Sequence, residues 1–269
     1  MKQVRTFYAL AFGLTWGIGA IPLLAGRWMP DVHLSTANPL YYLAAYSVSL
    51  SGLLLTWRYA GSKGLRSLGS RLMPRRSSVR WILTVVVGYA TIIAVTLWMA
   101  GRARGAPVEI PRWSTLLSAI MITIVRDPGP LGEELGWRGF ALPRLLDRYS
   151  PLRASIGLGL VHAAWHLPLL FIPGMPQANV SFPLFTVGVV AIAIFDTALF
   201  LRTEANLLMA IVVHLLANWC GGLAADAQAL SLFLAAEGGA AALVVLGGGL
   251  RRQFPTQRAA NARPFSPSS

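Results

Sequence analysis

The chain has 269 residues, 55% of them hydrophobic and only 12% Asp, Glu, Lys or Arg, about half the roughly 25% charge content of soluble domains. That composition excludes an ordinary soluble globule, and the single cysteine, Cys220, excludes an internal disulfide and a multi-cysteine zinc site. A net charge of +13 would suit a nucleic-acid partner in a soluble protein. Here the basic residues lie between apolar runs, without a basic amphipathic helix or an aromatic-basic platform, so no nucleic acid is expected and the charge reads as membrane topology.

In chain order, apolar runs fall at 7–25, 39–57, 81–100, 113–125, 152–172, 182–201, 206–225 and 229–250. Most approach the roughly 20 residues that a helix needs to cross a hydrocarbon core about 30 Å thick. The expected fold is therefore all-α, a polytopic integral membrane bundle of about eight transmembrane helices. Eight spans would use about 160 residues and leave about 109 for loops and tails, enough for one membrane domain over 1–252 and no separate soluble one. Residues 253–269 are polar and include Pro255, Pro264 and Pro267, the composition of a disordered tail.

Met1, Lys2 and Arg5 before the first run resemble a secretory signal, but the run is long and further spans follow, so a retained span is expected. Gly13 and Gly17 form a GxxxG, and the stretch 235–249 is rich in Ala and Gly; both read as close helix packing. No 20- to 50-residue period and no inverted repeat of the transporter kind is visible. The fourth run is short. The segment after it, RDPGPLGEELGWRGFALPRLLDRY, is too charged to face lipid, and the helical spacing of its last two thirds predicts a partly embedded helix that lines some interior feature. With alternate loops on opposite sides, nineteen Lys and Arg fall on the side of both termini, against Arg27, Arg102, Arg104 and Arg112 on the other. The positive-inside rule then predicts cytoplasmic termini.

Polar residues at membrane depth are costly enough to be functional candidates. Glu133, Glu134 and Arg138 form the first group. Residues four apart share a helix face, so Glu134 pairs with Arg138, whereas Glu133 points about 100° away and stays free. The loop DPGPLG puts both acids in a first helical turn, where the dipole favours carboxylates; helix capping with a salt bridge is the purely structural reading. His162 and His166 in HAAWH are one turn apart, but Ala163 stands where the base of HExxH belongs, so no zincin motif is present. His214 and Asn218 in HLLAN repeat the spacing, and a polar seam between helices is the alternative. Together the groups can activate water and hold an oxyanion. Asp196 and Glu237 suit either a proton relay or structure; Cys220 reads as inert packing. No serine motif appears.

These three groups, in this order on a polytopic chain, resemble the CPBP family, which comprises CAAX proteases and bacteriocin-processing enzymes. Its pattern is EExxxR, then FxxxH, then HxxxN or HxxxD, on about eight helices. Glu133, Glu134 and Arg138 complete the first motif, and His214 and Asn218 the third. His166 meets the second only at its histidine, because His162 stands where the aromatic is expected. The resemblance covers about 115–225, and EELGWRGFALPRL is its most specific part.

The resemblance implies an intramembrane endopeptidase acting on a membrane-associated or lipid-modified peptide or protein. Glu133 and His166 would activate water, His214 and Asn218 would stabilise the oxyanion, and Glu134 and Arg138 would support the site. His162 has no role in the pattern and is expected to be the more dispensable histidine. Glu133, His166 and His214 could supply three ligands of an open catalytic zinc, or the same residues could act on water directly. The sites are expected around one cavity open to the cytoplasmic side. Two rival readings remain: a proton-coupled transporter using the buried acids and histidines, and a non-catalytic scaffold of the same fold. Only Lys2 and Lys63 among the 23 basic residues are lysines, which hints at GC-rich bacterial coding and a bacterial plasma membrane.

Overall fold

The computed structural model describes residues 1–25, 38–105, 112–172, 175–224 and 226–251, all-α in its regular structure. Helices α1 (Lys2–Ala25), α2 (Pro39–Ser70), α3 (Arg76–Arg104) and α4 (Trp113–Arg126) precede a broken segment: α5 (Gly129–Glu134), a π-helical stretch (Leu135–Ala141) and α6 (Leu142–Leu146). Then come α7 (Pro151–Trp165), two 3-10 turns (Leu167–Phe171 and Pro176–Asn179), α8 (Phe182–Arg202), α9 (Leu207–Leu223) and α10 (Ala227–Leu246). The protein is a polytopic helical membrane bundle: five described helices are long and apolar enough to cross a membrane, and α4 and α9 are shorter apolar helices. The expected tail at 253–269 and Arg27 lie outside the described residues.

Local chemistry sets the breaks. Ser150 caps α7 by accepting from the Arg153 amide, and Pro151 occupies the first turn, where no amide partner is lost. Pro168 has no N–H for the Ala164 carbonyl, so the fifth apolar run leaves the α register after Trp165 instead of continuing to 172. The π stretch has a matching cause at Pro143. The Leu142 amide bonds back to the Trp137 carbonyl, and Pro143 offers no donor to the carbonyls of Arg138 or Gly139. Arg71 supplies both, at 3.3 Å each, and also holds the Ala205 carbonyl at 2.8 Å. A buried backbone acceptor would otherwise go unpaired.

The broken segment runs through the interior. Its backbone packs on one face of α2: a Cβ at Gly136 would lie 2.5 Å from the Val48 carbonyl oxygen, and one at Gly52 would lie 2.8 Å from the Gly136 Cα. Ser49 Oγ donates to the Leu131 carbonyl across the same seam. Phe7, Trp137 and Phe140 form its aromatic core, with ring centroids 5.3 and 5.4 Å from Phe7. Close approach therefore occurs here and not at Gly13 and Gly17, whose Cβ positions have nothing within 4 Å. Small residues do bring α8 and α10 together, since a Cβ at Gly238 would meet Val187 at 2.6 Å.

Contacts between helix ends place the first and last described residues at one end of the bundle. Arg144 meets Gln3 at 2.8 Å, the Leu207 amide meets the Arg71 carbonyl, and Arg202 bonds the Gly249 carbonyl. Helix α4 does not reach that end. The carbonyl of its last residue, Arg126, accepts from Tyr42 Oη near the start of α2, and α5, the π stretch and α6 run on from there toward Gln3. Arg126 and Arg138 thus leave the basic face to which simple alternation of loops assigned them, and the charge asymmetry survives without them.

Two outcomes check this arrangement. Gly136→Ala should cost about 1–3 kcal/mol, seen as a lower thermal midpoint in detergent, while Gly13→Ala should leave that midpoint unchanged; equal effects would contradict the seam. Reporter fusions at the two termini should report the same compartment, the cytoplasm by the charge rule, and opposite compartments would contradict the shared end.

Candidate functional site

Arg138 organises the site from a fully buried position. Its Nη1 donates to Glu134 Oε1 at 2.8 Å, and its Nη2 lies 2.8 Å from Asp196 Oδ2 on α8. Glu134 Oε1 also accepts from His214 Nδ1 on α9, at 2.7 Å. One guanidinium and one carboxylate therefore join the π stretch, α8 and α9. The ionic network removes Asp196 from the list of free relay groups and gives it a structural partner that sequence spacing could not reveal.

Glu133 faces elsewhere, as its 100° offset from Glu134 requires. His162 Nε2 donates to Glu133 Oε2 at 2.7 Å. His162 is held against the Trp137 ring at 4.9 Å between centroids, and the His166 ring lies 5.0 Å from it. His166 donates Nδ1–H to the His162 carbonyl at 3.2 Å, which leaves its Nε2 free. Among the described residues, Glu133, His162 and His166 bring ligand-type atoms within 4.8 Å of one another. His214 is not in that cluster. The geometry thus differs from the expected set at one member: the histidine gathered with Glu133 and His166 is His162, which the motif comparison left without a role.

Asn218 gains a partner that sequence reading missed. Its Nδ2 donates to Asp127 Oδ2 at 2.8 Å, while Asp127 Oδ1 accepts from the Gly129 amide at 2.9 Å. The local signal was present, because Asp followed two residues later by Gly is an Asx-turn pattern; the contact with α9 was not readable. A Cβ at Gly129 would meet His214 Nε2 at 2.8 Å, Asp127 Oδ1 at 3.1 Å and Asn218 Nδ2 at 3.3 Å. The absent side chain lets these three polar groups converge.

All of this borders a cavity of about 560 Å³ whose lining includes Glu133, His162, His166, His214 and Asn218. Glu237 of α10 also lines it, fully buried, with Tyr89 of α3 facing its carboxylate. Further wall comes from the second half of α1, the first turns of α2, α8 and α10, the last turn of α4, and Ile172, Gln177 and Val180. These parts lie away from the end that carries the termini. The expectation that the cavity opens on the same side as cytoplasmic termini is therefore corrected: His166 and Asn218 sit near the far ends of α7 and α9.

Fold and site define a polytopic membrane protein with a buried carboxylate and imidazole centre facing an internal cavity. Residues 111–220 match the profile of the family described as type II CAAX prenyl endopeptidase Rce1-like, a likeness of that segment. The chain is also 35% identical over 92 residues to CAAX prenyl protease 2 of Methanococcus maripaludis. That match covers 32% of this chain and 34% of the relative, so the chain matches about a third of the relative's length.

Arg138→Ala would leave Asp196 as a buried, uncompensated acid and Glu134 with His214 as its remaining partner. The expected cost is about 3–5 kcal/mol, measured as a fall in thermal stability in detergent, with a smaller loss for Arg138→Lys. Unchanged stability in the Ala variant would contradict the network.

Proposed function

We propose that this protein is an intramembrane endopeptidase that hydrolyses a peptide bond of a membrane-associated or lipid-modified substrate. The observation that carries the reading is the Glu133 carboxylate, fixed by His162, close to His166 and open to a cavity that His214 and Asn218 also line. The match of residues 111–220 to the type II CAAX prenyl endopeptidase Rce1-like profile supports the same chemistry.

In this reading Glu133 takes a proton from a water that hydrogen-bonds to His166 Nε2, and the oxygen of that water attacks the scissile carbonyl carbon. The carbonyl π pair moves to oxygen. The oxyanion meets the second Nδ2–H of Asn218 and Nε2–H of an imidazolium at His214, whose Nδ1–H is held by Glu134. Asp127 is a positioning residue: it fixes the Asn218 amide so that one N–H is left for the cavity. The tetrahedral intermediate collapses, the C–N bond breaks, and Glu133 returns its proton to the departing amine. The products are one carboxylate and one amine terminus.

The charge asymmetry puts the termini in the cytoplasm, and the site then lies in the opposite half of the membrane, reached from the lipid or from the far side. A plasma membrane of a bacterium suits the lysine-poor coding. A prenylated CAAX peptide is the natural first probe, since the Methanococcus relative is named a CAAX prenyl protease.

The test is cleavage by protein reconstituted in liposomes, together with a peptide inventory of cells that express either form. Glu133→Gln should cut turnover by about 10²–10⁴-fold while the fold is retained, and uncut peptides should accumulate. Gly129→Ala should also lower turnover, by crowding His214 and Asn218, without affecting Glu133. Full activity in Glu133→Gln would contradict the proposal.

A further inference from the structure

We propose that Glu237 closes a specificity slot between α8 and α10 that takes a lysine side chain of the substrate, the ammonium pairing with the Glu237 carboxylate. The proposal rests on the peptidase reading for the nature of its ligand, but peptide binding can be measured apart from turnover.

Two helix faces build the slot. On α10, Leu230, Phe233, Leu234 and Glu237 line the cavity, at offsets of three, four and seven residues that put them on one face. Seven residues advance about 10 Å along a helix axis. Three apolar side chains therefore precede the acid along this wall, counted from the end where α10 begins. On α8, Phe185, Val189 and Ile192 line the same cavity, again at helical spacing. Phe185 also lies 5.3 Å from the His166 ring, which joins the slot to the carboxylate and imidazole centre. Gly188 keeps the approach open, because a Cβ there would lie 2.4 Å from Leu234 Cδ2 and 3.3 Å from Glu237 Oε2.

Glu237 differs from the other buried glutamates and from Asp196 in its partners. Glu134 and Asp196 share Arg138, and Glu133 accepts from His162. Among the described residues, no Lys, Arg or His forms an ion pair with Glu237, and the group that faces it is the hydroxyl of buried Tyr89. A buried acid with no cation is poorly compensated. A substrate cation can supply the missing partner only through the cavity. Lysine matches both the walls and the end of the slot. Its aliphatic stem can lie along Leu230, Phe233 and Leu234, as such stems do on apolar surface. Its compact ammonium carries three donors and no acceptor, which suits Glu237 Oε2 and the Tyr89 hydroxyl oxygen together. A side chain ending in a methyl group would leave the acid unpaired, and one ending in a carboxylate would set two like charges against each other.

The test uses the full chain carrying Glu133→Gln, so that peptides bind without being cut. Fluorescent prenylated CAAX peptides, with lysine, norleucine or glutamate placed at one position at a time around the prenylated cysteine, are titrated by anisotropy in detergent. At one position lysine should bind at least about tenfold more tightly than norleucine, and glutamate should bind most weakly. Adding Glu237→Gln should bring the lysine-to-norleucine ratio down to about one, with thermal midpoint and elution volume showing that the variant folds. A second measurement needs no folded variant at residue 237. A lipid-soluble carbodiimide should join the bound lysine to Glu237 as an amide, with loss of water, and peptide mapping locates the adduct. No position with a lysine preference, a preference kept by folded Glu237→Gln, or an adduct confined to other acids overturns the slot. Cleavage is assayed in parallel with Glu133 intact. Lysine-selective binding without cleavage of any peptide overturns the peptidase reading and leaves the slot standing, whereas cleavage without the preference overturns the slot alone.

Discussion

A buried arginine can persist in a membrane bundle only where carboxylates surround it, and the arrangement around Arg138 follows from that constraint. Glu134 and Asp196 flank the guanidinium, and His214 shares the same Glu134 oxygen. Removing charges from water costs several kcal/mol per ion before their attraction repays it, so each member depends on the others being in place. The network fixes the rotation of the broken segment about its axis. Glu134 is turned toward α9, and Glu133, one residue earlier, must face α7 and the cavity.

Backbone irregularity serves the same end. The segment enters at Asp127–Pro128, passes through the π stretch and ends near Arg144, with Gly136 and Gly52 letting it lie directly on α2. A regular helix of ordinary side chains could not come so close. The carbonyls freed at Arg138 and Gly139 are recovered by Arg71 from the end that carries the termini. A single-turn irregularity of this kind is frequent at functional sites, and here it links a structural ion network to a carboxylate that faces open space.

Much of this was legible in the sequence and the remainder was not, for physical reasons. Glu134 and Arg138 are neighbours by helical period alone, and the same period separates Glu133 from them. The run lengths pointed to a polytopic bundle, but five described helices and not eight are long and apolar enough to cross a membrane: Pro168 ends the fifth run early, and the fourth is a short helix followed by a broken segment. Asp196 and Asp127 could not be assigned partners, because their contacts cross between helices distant in sequence. His162 was set aside because a motif with an aromatic at that position offers it no task, whereas the packing of α5 on α7 brings it to Glu133. The side on which the cavity lies also escaped: counting charges in loops orients a chain but does not say at which depth two helix faces meet.

The central claim is that Glu133 and His162 act as one unit in one hydrolytic site. Its most direct test is a double-mutant cycle on kcat/KM, using Glu133→Gln, His162→Phe and the double variant in the same liposomes. The account predicts strong non-additivity, with the double variant no slower than Glu133→Gln alone, since residues that work together lose their joint contribution at the first change. Losses that simply add would mean that the two residues contribute independently, and would contradict the account.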